Sequence, residues 1–174
     1  MKIRSILQIA ILLLLAHFSF AQTPLKVVSS AITFTIKNAG LTVNGSLSEL
    51  EAEIKFSPTD YKTSTIKASV SSNTIKTGID ARDNHLKKAE YFDVGNFPKI
   101  NMESNFFGKE NNRFIGYFKL TIKGITKDVT VPFTFENNVF KGSFTIDRRQ
   151  FKVGGNSFIL SDNVKVDLLI NTKN

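Results

Sequence analysis

Cysteine is absent from the whole chain of 174 residues, which excludes disulfides, a thiol nucleophile, thiolate metal ligands and a cysteine-borne lipid anchor. Stability must therefore come from packing alone. Tryptophan is also absent, and histidine occurs only at His17 and His85. A zinc site built on imidazole and thiolate lacks its ligands, so no metal is expected. Also missing are the G-x-S-x-G elbow, the H-E-x-x-H pair, EF-hand spacing and a glycine-rich phosphate loop between strand and helix. These gaps point away from catalysis, and no cofactor is expected. Beyond the first 21 residues no apolar run reaches the roughly 18 to 20 residues of a membrane span, and no Pro-, Gly- or Ser-rich stretch or internal repeat divides the chain.

What is present begins with an export signal. Lys2 and Arg4 precede an apolar run from Ile6 to Ala16, followed by Ser19, Phe20 and Ala21. A charged start, a short apolar centre and small residues before a cut read as a signal peptide over residues 1–21, leaving Gln22 first and residues 22–174 as one domain. His17 and Ser19 interrupt the run too early for an anchor. The expected location is periplasmic or secreted, with both left open, and His85 remains the single imidazole. Loss of Lys2 and Arg4 lowers the net charge from +8 to +6. The lysines are spread singly, as at Lys55, Lys62, Lys67, Lys76, Lys119 and Lys141, a pattern of solvated strand faces rather than of nucleic-acid binding.

Apolar and polar residues alternate with period two from residue 31 onward. Ile32, Phe34 and Ile36 share one parity, as do Ala52, Ile54 and Phe56, then Ile66, Ala68 and Val70. The pattern returns at 100–106 with Met102, at 114–122 with Phe118 and Leu120, at 129–135 with Val131 and Phe133, at 140–146 with Phe140 and Phe144, and at 164–170 with Leu168. About eight strands emerge, a number that closes into a barrel around its own side chains or one small ligand. Glu110–Asn112, Lys123–Lys127 and Asn137-Asn138 are short enough for antiparallel hairpins. Asn44-Gly45 fits either a tight turn or a glycine inside a long strand. One exception to the alternation, residues 80–89, repeats Ala81, His85 and Ala89 beside Leu86 and reads as a short helix, capped by Asp80 with Asp83 in its first turn. With one short helix to cover eight apolar strand faces, the sheet must close on itself. The expected fold is all-β, a single antiparallel lipocalin-like barrel.

Two polar positions stand out. Arg82, Asp83 and His85 gather a guanidinium, an acid and an imidazole. They either staple the helix and pack inward or serve a polar group of a ligand, and an Asp–His pair could also carry general acid–base chemistry, as a hydrolase or isomerase would. Arg148 falls on the inward parity with Phe144 and Ile146. A buried arginine needs a partner, either an acid of the protein such as Asp83 or an anionic ligand. Of sixteen phenylalanines only Phe18 and Phe20 precede the cut, and most of the rest point inward. They can fill a barrel as a packed core, in which case the chain serves as an envelope interaction module, or line a tunnel.

The blocks Thr77-Gly78, Arg82-Asp83-x-His85-Leu86, Tyr91-Phe92-Asp93-Val94 and Phe97-Pro98-x-Ile100 resemble the YceI family. So do Gly116-x-Phe118-x-Leu120-Thr121-Ile122-Lys123-Gly124-Ile125-Thr126-Lys127 with Val129, and Ile146-x-Arg148 with Phe151. The resemblance covers the whole chain after the signal peptide. It implies an extended lipocalin-like barrel that binds a polyisoprenoid such as a quinone or prenyl diphosphate without catalysis. It places Arg82, Asp83, His85 and Arg148 near the head group, and favours a hollow interior lined by Phe34, Ile36, Ile54, Phe56, Ile66, Met102, Phe118, Leu120, Val131, Phe133, Phe140, Phe144 and Leu168. Many relatives carry an aromatic, an aspartate and a His-Ser pair where this chain has Lys26-Val27-Val28-Ser29-Ser30, and an acid and a glycine where it has Gln150 and Lys152 around Phe151. The oligomeric state stays open, a homodimer among the alternatives.

Overall fold

The computed structural model describes residues 23–174, so the expected signal peptide lies outside the described residues. Nine strands follow one another: β1 (Lys26–Asn38), β2 (Leu41–Leu47), β3 (Glu51–Lys55), β4 (Thr65–Ser71), β5 (Lys99–Glu110), β6 (Arg113–Ile122), β7 (Ile125–Glu136), β8 (Val139–Asp147) and β9 (Leu160–Lys173). Among the described residues one α-helix, α1 (Asp80–Leu86), stands between β4 and β5. The strands form one curled sheet in the order β2-β1-β9-β8-β7-β6-β5-β4-β3, every neighbour antiparallel. Eight of them are the strands that alternation predicts.

The ninth, β2, holds Asn44-Gly45 in its interior, paired with Thr35 and Phe34 of β1. The tight-turn alternative is thereby corrected: the chain reverses at Ala39-Gly40, both at positive φ. Gly45 is needed for room. A Cβ there would lie 2.2 Å from the Phe34 ring and 2.7 Å from the Lys76 carbonyl oxygen. The three other predicted hairpins turn at Asn111-Asn112, Lys123-Gly124 and Asn137-Asn138, with positive φ at Asn111, Lys123, Gly124, Asn137 and Asn138, as primed turns demand.

No ladder joins the two edge strands, β2 and β3. The curl is completed at two points instead. Near the start of β1 the Leu25 N–H donates to the Ile54 carbonyl at 2.7 Å, and beside β2 Ser46 and Lys76 exchange both backbone hydrogen bonds at 2.8 and 3.0 Å.

Antiparallel order sorts the connections onto two ends. At one end lie the turns at 111–112 and 137–138 and the β3–β4 connection. Here the interior is packed with aromatic rings: Phe56 has the rings of Phe107, Phe114, Phe133, Phe135 and Phe140 at 5.1 to 5.6 Å, all edge to face. At the opposite end lie the turns at 39–40 and 123–124, the β4–β5 connection with α1, and the β8–β9 loop that opens with a 3-10 turn (Arg148–Phe151).

The helix is shorter than its sequence pattern. Asp80 is its first residue rather than its cap, Ile79 stands at the cap position without a side-chain bond, and the helix stops at Leu86. Asp83 instead reaches back to the strand-like segment before the helix. Its Oδ1 accepts from the Thr77 N–H at 2.7 Å and from the Thr77 hydroxyl at 2.5 Å.

Candidate ligand-binding site

Between the aromatic plug and α1 the barrel is hollow. The cavity measures about 420 Å³ and its wall is drawn from β1 to β9, from α1 and from the β8–β9 loop. Twelve of the thirteen apolar residues expected to line it do so: Phe34, Ile36, Ile54, Ile66, Met102, Phe118, Leu120, Val131, Phe133, Phe140, Phe144 and Leu168. Phe56 is the exception. Surrounded by five rings at the plug, it forms the floor behind Phe133 and Phe140 rather than the wall. Parity told which side it faces but not how far along the axis the packed region extends.

Polar side chains gather at the helix end, where Thr77, Arg82, His85, Asn38 and Ser157 border the cavity beside Tyr91 and Phe92. Thr77 organises this rim although its type gave no signal beyond the resemblance. Its hydroxyl donates to Asp83 and accepts from Arg82 Nε at 2.7 Å, while its carbonyl accepts from Arg82 Nη2 at 2.8 Å. Among the described residues Arg82 Nη1 has no protein partner, so the guanidinium keeps donors free at the mouth. His85 is half-exposed, with its ring edge against Tyr91 at 5.0 Å and Nε2 at 3.6 Å from Glu90.

The other two expected head-group residues are committed to the protein. Asp83 is buried and off the cavity wall, and the Thr77 hydroxyl holds its carboxyl below the usual range. Burial opposes that shift, while the Thr77 N–H, Lys76 and Arg82 reinforce it. Its second oxygen, Oδ2, has no hydrogen bond and lies 3.8 Å from the Lys76 amine. His85 makes no hydrogen bond with Asp83, so the Asp–His pair required for acid–base chemistry is not assembled.

Arg148, 3 % exposed, borders the cavity but spends every N–H on protein oxygens. Nε donates to Ser161, Nη1 to the carbonyls of Val153, Gly154 and Gly155 at 2.8 Å, and Nη2 to Leu160 and the Asp162 carboxylate at 3.1 Å. The acid partner is thus Asp162, not Asp83. Its role is to fold the β8–β9 loop into a wall: Val153 and Leu160 line the cavity beside Ser157 and Ile159. The same loop is fastened to the α1 region by the Gly154 N–H, which donates to Glu90 at 2.9 Å. At φ +70°, with the Tyr91 ring 2.5 Å from where a Cβ would stand, only glycine fits there.

A nine-stranded curl with one plugged end, one helix across the other and an apolar cavity between them is matched by a known family, described as the YceI-like domain, over residues 25–172. The chain belongs to the YceI family. A UPF0312 protein of Staphylococcus aureus is 34% identical over 113 residues, 64% of this chain and 63% of the relative, so the chain spans under two thirds of that relative's length. Among solved structures, BcnA of Burkholderia cenocepacia superposes with a TM-score of 0.77 at 23% identity, covering 81% of this chain and 94% of BcnA. A polyisoprenoid binding domain from Saccharophagus degradans, implicated in plant cell wall breakdown, gives 0.63 at 13% identity, covering 86% and 97%. At these identities the two YceI-like structures establish the fold.

Proposed function

We propose that this YceI-family chain is a non-catalytic binding protein and carrier for a polyisoprenoid lipid. The apolar tail lies in the cavity, and a quinone or prenyl diphosphate head sits at the helix end. The observation that carries the reading is the gradient of the cavity itself, from a phenylalanine floor to a rim with the unspent Arg82 Nη1 and the half-exposed His85 ring. Its volume of about 420 Å³ falls within the range of small-ligand sites. The polyisoprenoid binding domain among the structures of like fold supports the ligand class. The charged and apolar leader at residues 1–21 supports an exported carrier, periplasmic or secreted, with Gln22 as its first residue.

Native mass spectrometry of the protein incubated with ubiquinone and with farnesyl diphosphate tests the ligand. A mass increment equal to one lipid is expected, and Arg82→Ala is expected to weaken the diphosphate complex more than the quinone complex. A protein that takes up neither lipid at micromolar concentration overturns the reading. Recovery of a cleaved or rearranged lipid from the complex overturns its non-catalytic part.

A further inference from the structure

Four of the seven large apolar side chains most open to solvent are at one end of the molecule. Phe158 is 110%, Leu41 73%, Ile159 62% and Ile79 53% exposed. The remaining three sit on the outer face of the sheet, and one of them, Phe106, is stacked on Tyr117 at 4.2 Å. The backbone brings the four together. Asn38 pairs with Leu41 on one side and Leu160 on the other, and the Ala39 N–H donates to the Ile159 carbonyl at 2.7 Å, so the β1–β2 turn and the β8–β9 loop form one corner. Ser46 and Lys76 pair antiparallel, so the chain beyond Lys76 runs back along β2 towards Leu41 and carries Ile79 to the same rim. Neighbours of all four, namely Asn38, Val43, Thr77 and Leu160, line the cavity. The exposed side chains therefore ring its mouth.

Charge is concentrated there too. Residues 37–42, 76–93, 122–125 and 147–162 hold nine Lys and Arg against six Asp and Glu. Half of the net positive charge left after loss of Lys2 and Arg4 thus lies in less than a third of the described residues.

We propose that this rim docks on an anionic lipid bilayer, with Phe158, Ile159, Leu41 and Ile79 inserted among the acyl chains and the surrounding lysines and arginines against the head groups. Apolar side chains carried on separate loop tips suit a fluid interface that moulds around them, and cations beside them add attraction to anionic lipid. A protein partner calls for a contiguous, close-packed patch with a fitted centre, which separate tips do not offer. Docking would place the cavity mouth against the layer in which an isoprenoid dissolves. The inference deepens the carrier reading by naming the surface from which the ligand is exchanged, yet docking itself does not need a filled cavity.

Flotation, with vesicles, of the protein that begins at Gln22 tests the proposal. Wild-type protein is expected to float with vesicles of phosphatidylcholine and phosphatidylglycerol, less with phosphatidylcholine alone, and less again in high salt. Phe158→Ser combined with Leu41→Ser, neither residue lining the cavity, is expected to lower partitioning by about tenfold or more. The double variant should still take up a fluorescent farnesyl probe supplied from solution. Phe106→Ser is expected to float like wild type. Wild type that stays in the buffer layer, or a double variant that floats equally well, overturns the docking proposal and leaves the carrier reading standing. Rim-dependent flotation by a protein that refuses the farnesyl probe supports docking and overturns the carrier reading alone.

Discussion

Arg148 shows how a residue can be named correctly and still act differently from its expected role. Its inward parity and need for a partner are legible in the sequence, but the partner set is not, because five of the six acceptors are backbone carbonyls, three in the β8–β9 loop and two at the start of β9, and any residue supplies a carbonyl. Arg148→Met keeps the volume and leaves those five carbonyls without their donor, while Asp162 keeps Arg149 at 3.2 Å, so a loss of about 3–5 kcal/mol is expected from urea unfolding. Asp83 makes a pH-dependent contribution. Its carboxyl titrates below the usual value in the folded chain, chiefly through the Thr77 hydroxyl. The stabilisation is then full above the unfolded pKa of about 3.9 and disappears as pH falls through the lower folded value. Asp83→Asn is expected to be less stable than wild type near neutral pH, with the gap in urea midpoints narrowing as the pH falls below the unfolded pKa of about 3.9. A gap that stays constant with pH would contradict this origin.

At the scale of elements, strict alternation exposed eight strands, because each has one face on the interior and one in water. It left β2 ambiguous. Asn44-Gly45 carries the composition of a hairpin turn, and only the approach of the Phe34 ring and the Lys76 carbonyl, both distant in sequence or across the ladder, explains the glycine. The helix was legible in kind but not in length, since Asp83 bonds backwards to Thr77 instead of serving the helix end. Closure was legible only as a need. The bridge of Ser46 with Lys76 that meets it rests on backbone groups, which any residue supplies. Lys76→Pro removes the N–H that donates to Ser46 at 3.0 Å. The expected cost is about 1 kcal/mol in stability, with faster amide exchange at Ser46 and weaker lipid binding as the β2 edge parts from the α1 segment.

For the molecule as a whole, the hollow interior was not readable from composition. Phenylalanines of the same parity fill one end and line the other, and what separates them is axial position: Phe56, Phe114 and Phe135 pack ring on ring, while Phe34, Phe118 and Phe144 face open space. Occupying that space from within is a direct check. Ala68, which lines the cavity opposite Met102, replaced by Phe is expected to abolish lipid uptake in native mass spectrometry while altering stability by no more than about 1–3 kcal/mol. The floor built around Phe56 also bears on kinetics. On the proposed carrier reading, with one end sealed, a lipid would enter tail first and leave by the same door, and each methylene withdrawn into water would cost about 0.8 kcal/mol. Residence time would then climb steeply with tail length until the tail touches the phenylalanine floor. Further carbons would trail outside the mouth and add nothing to the dwell time, and on that reading the barrel would act as a molecular ruler read by a clock.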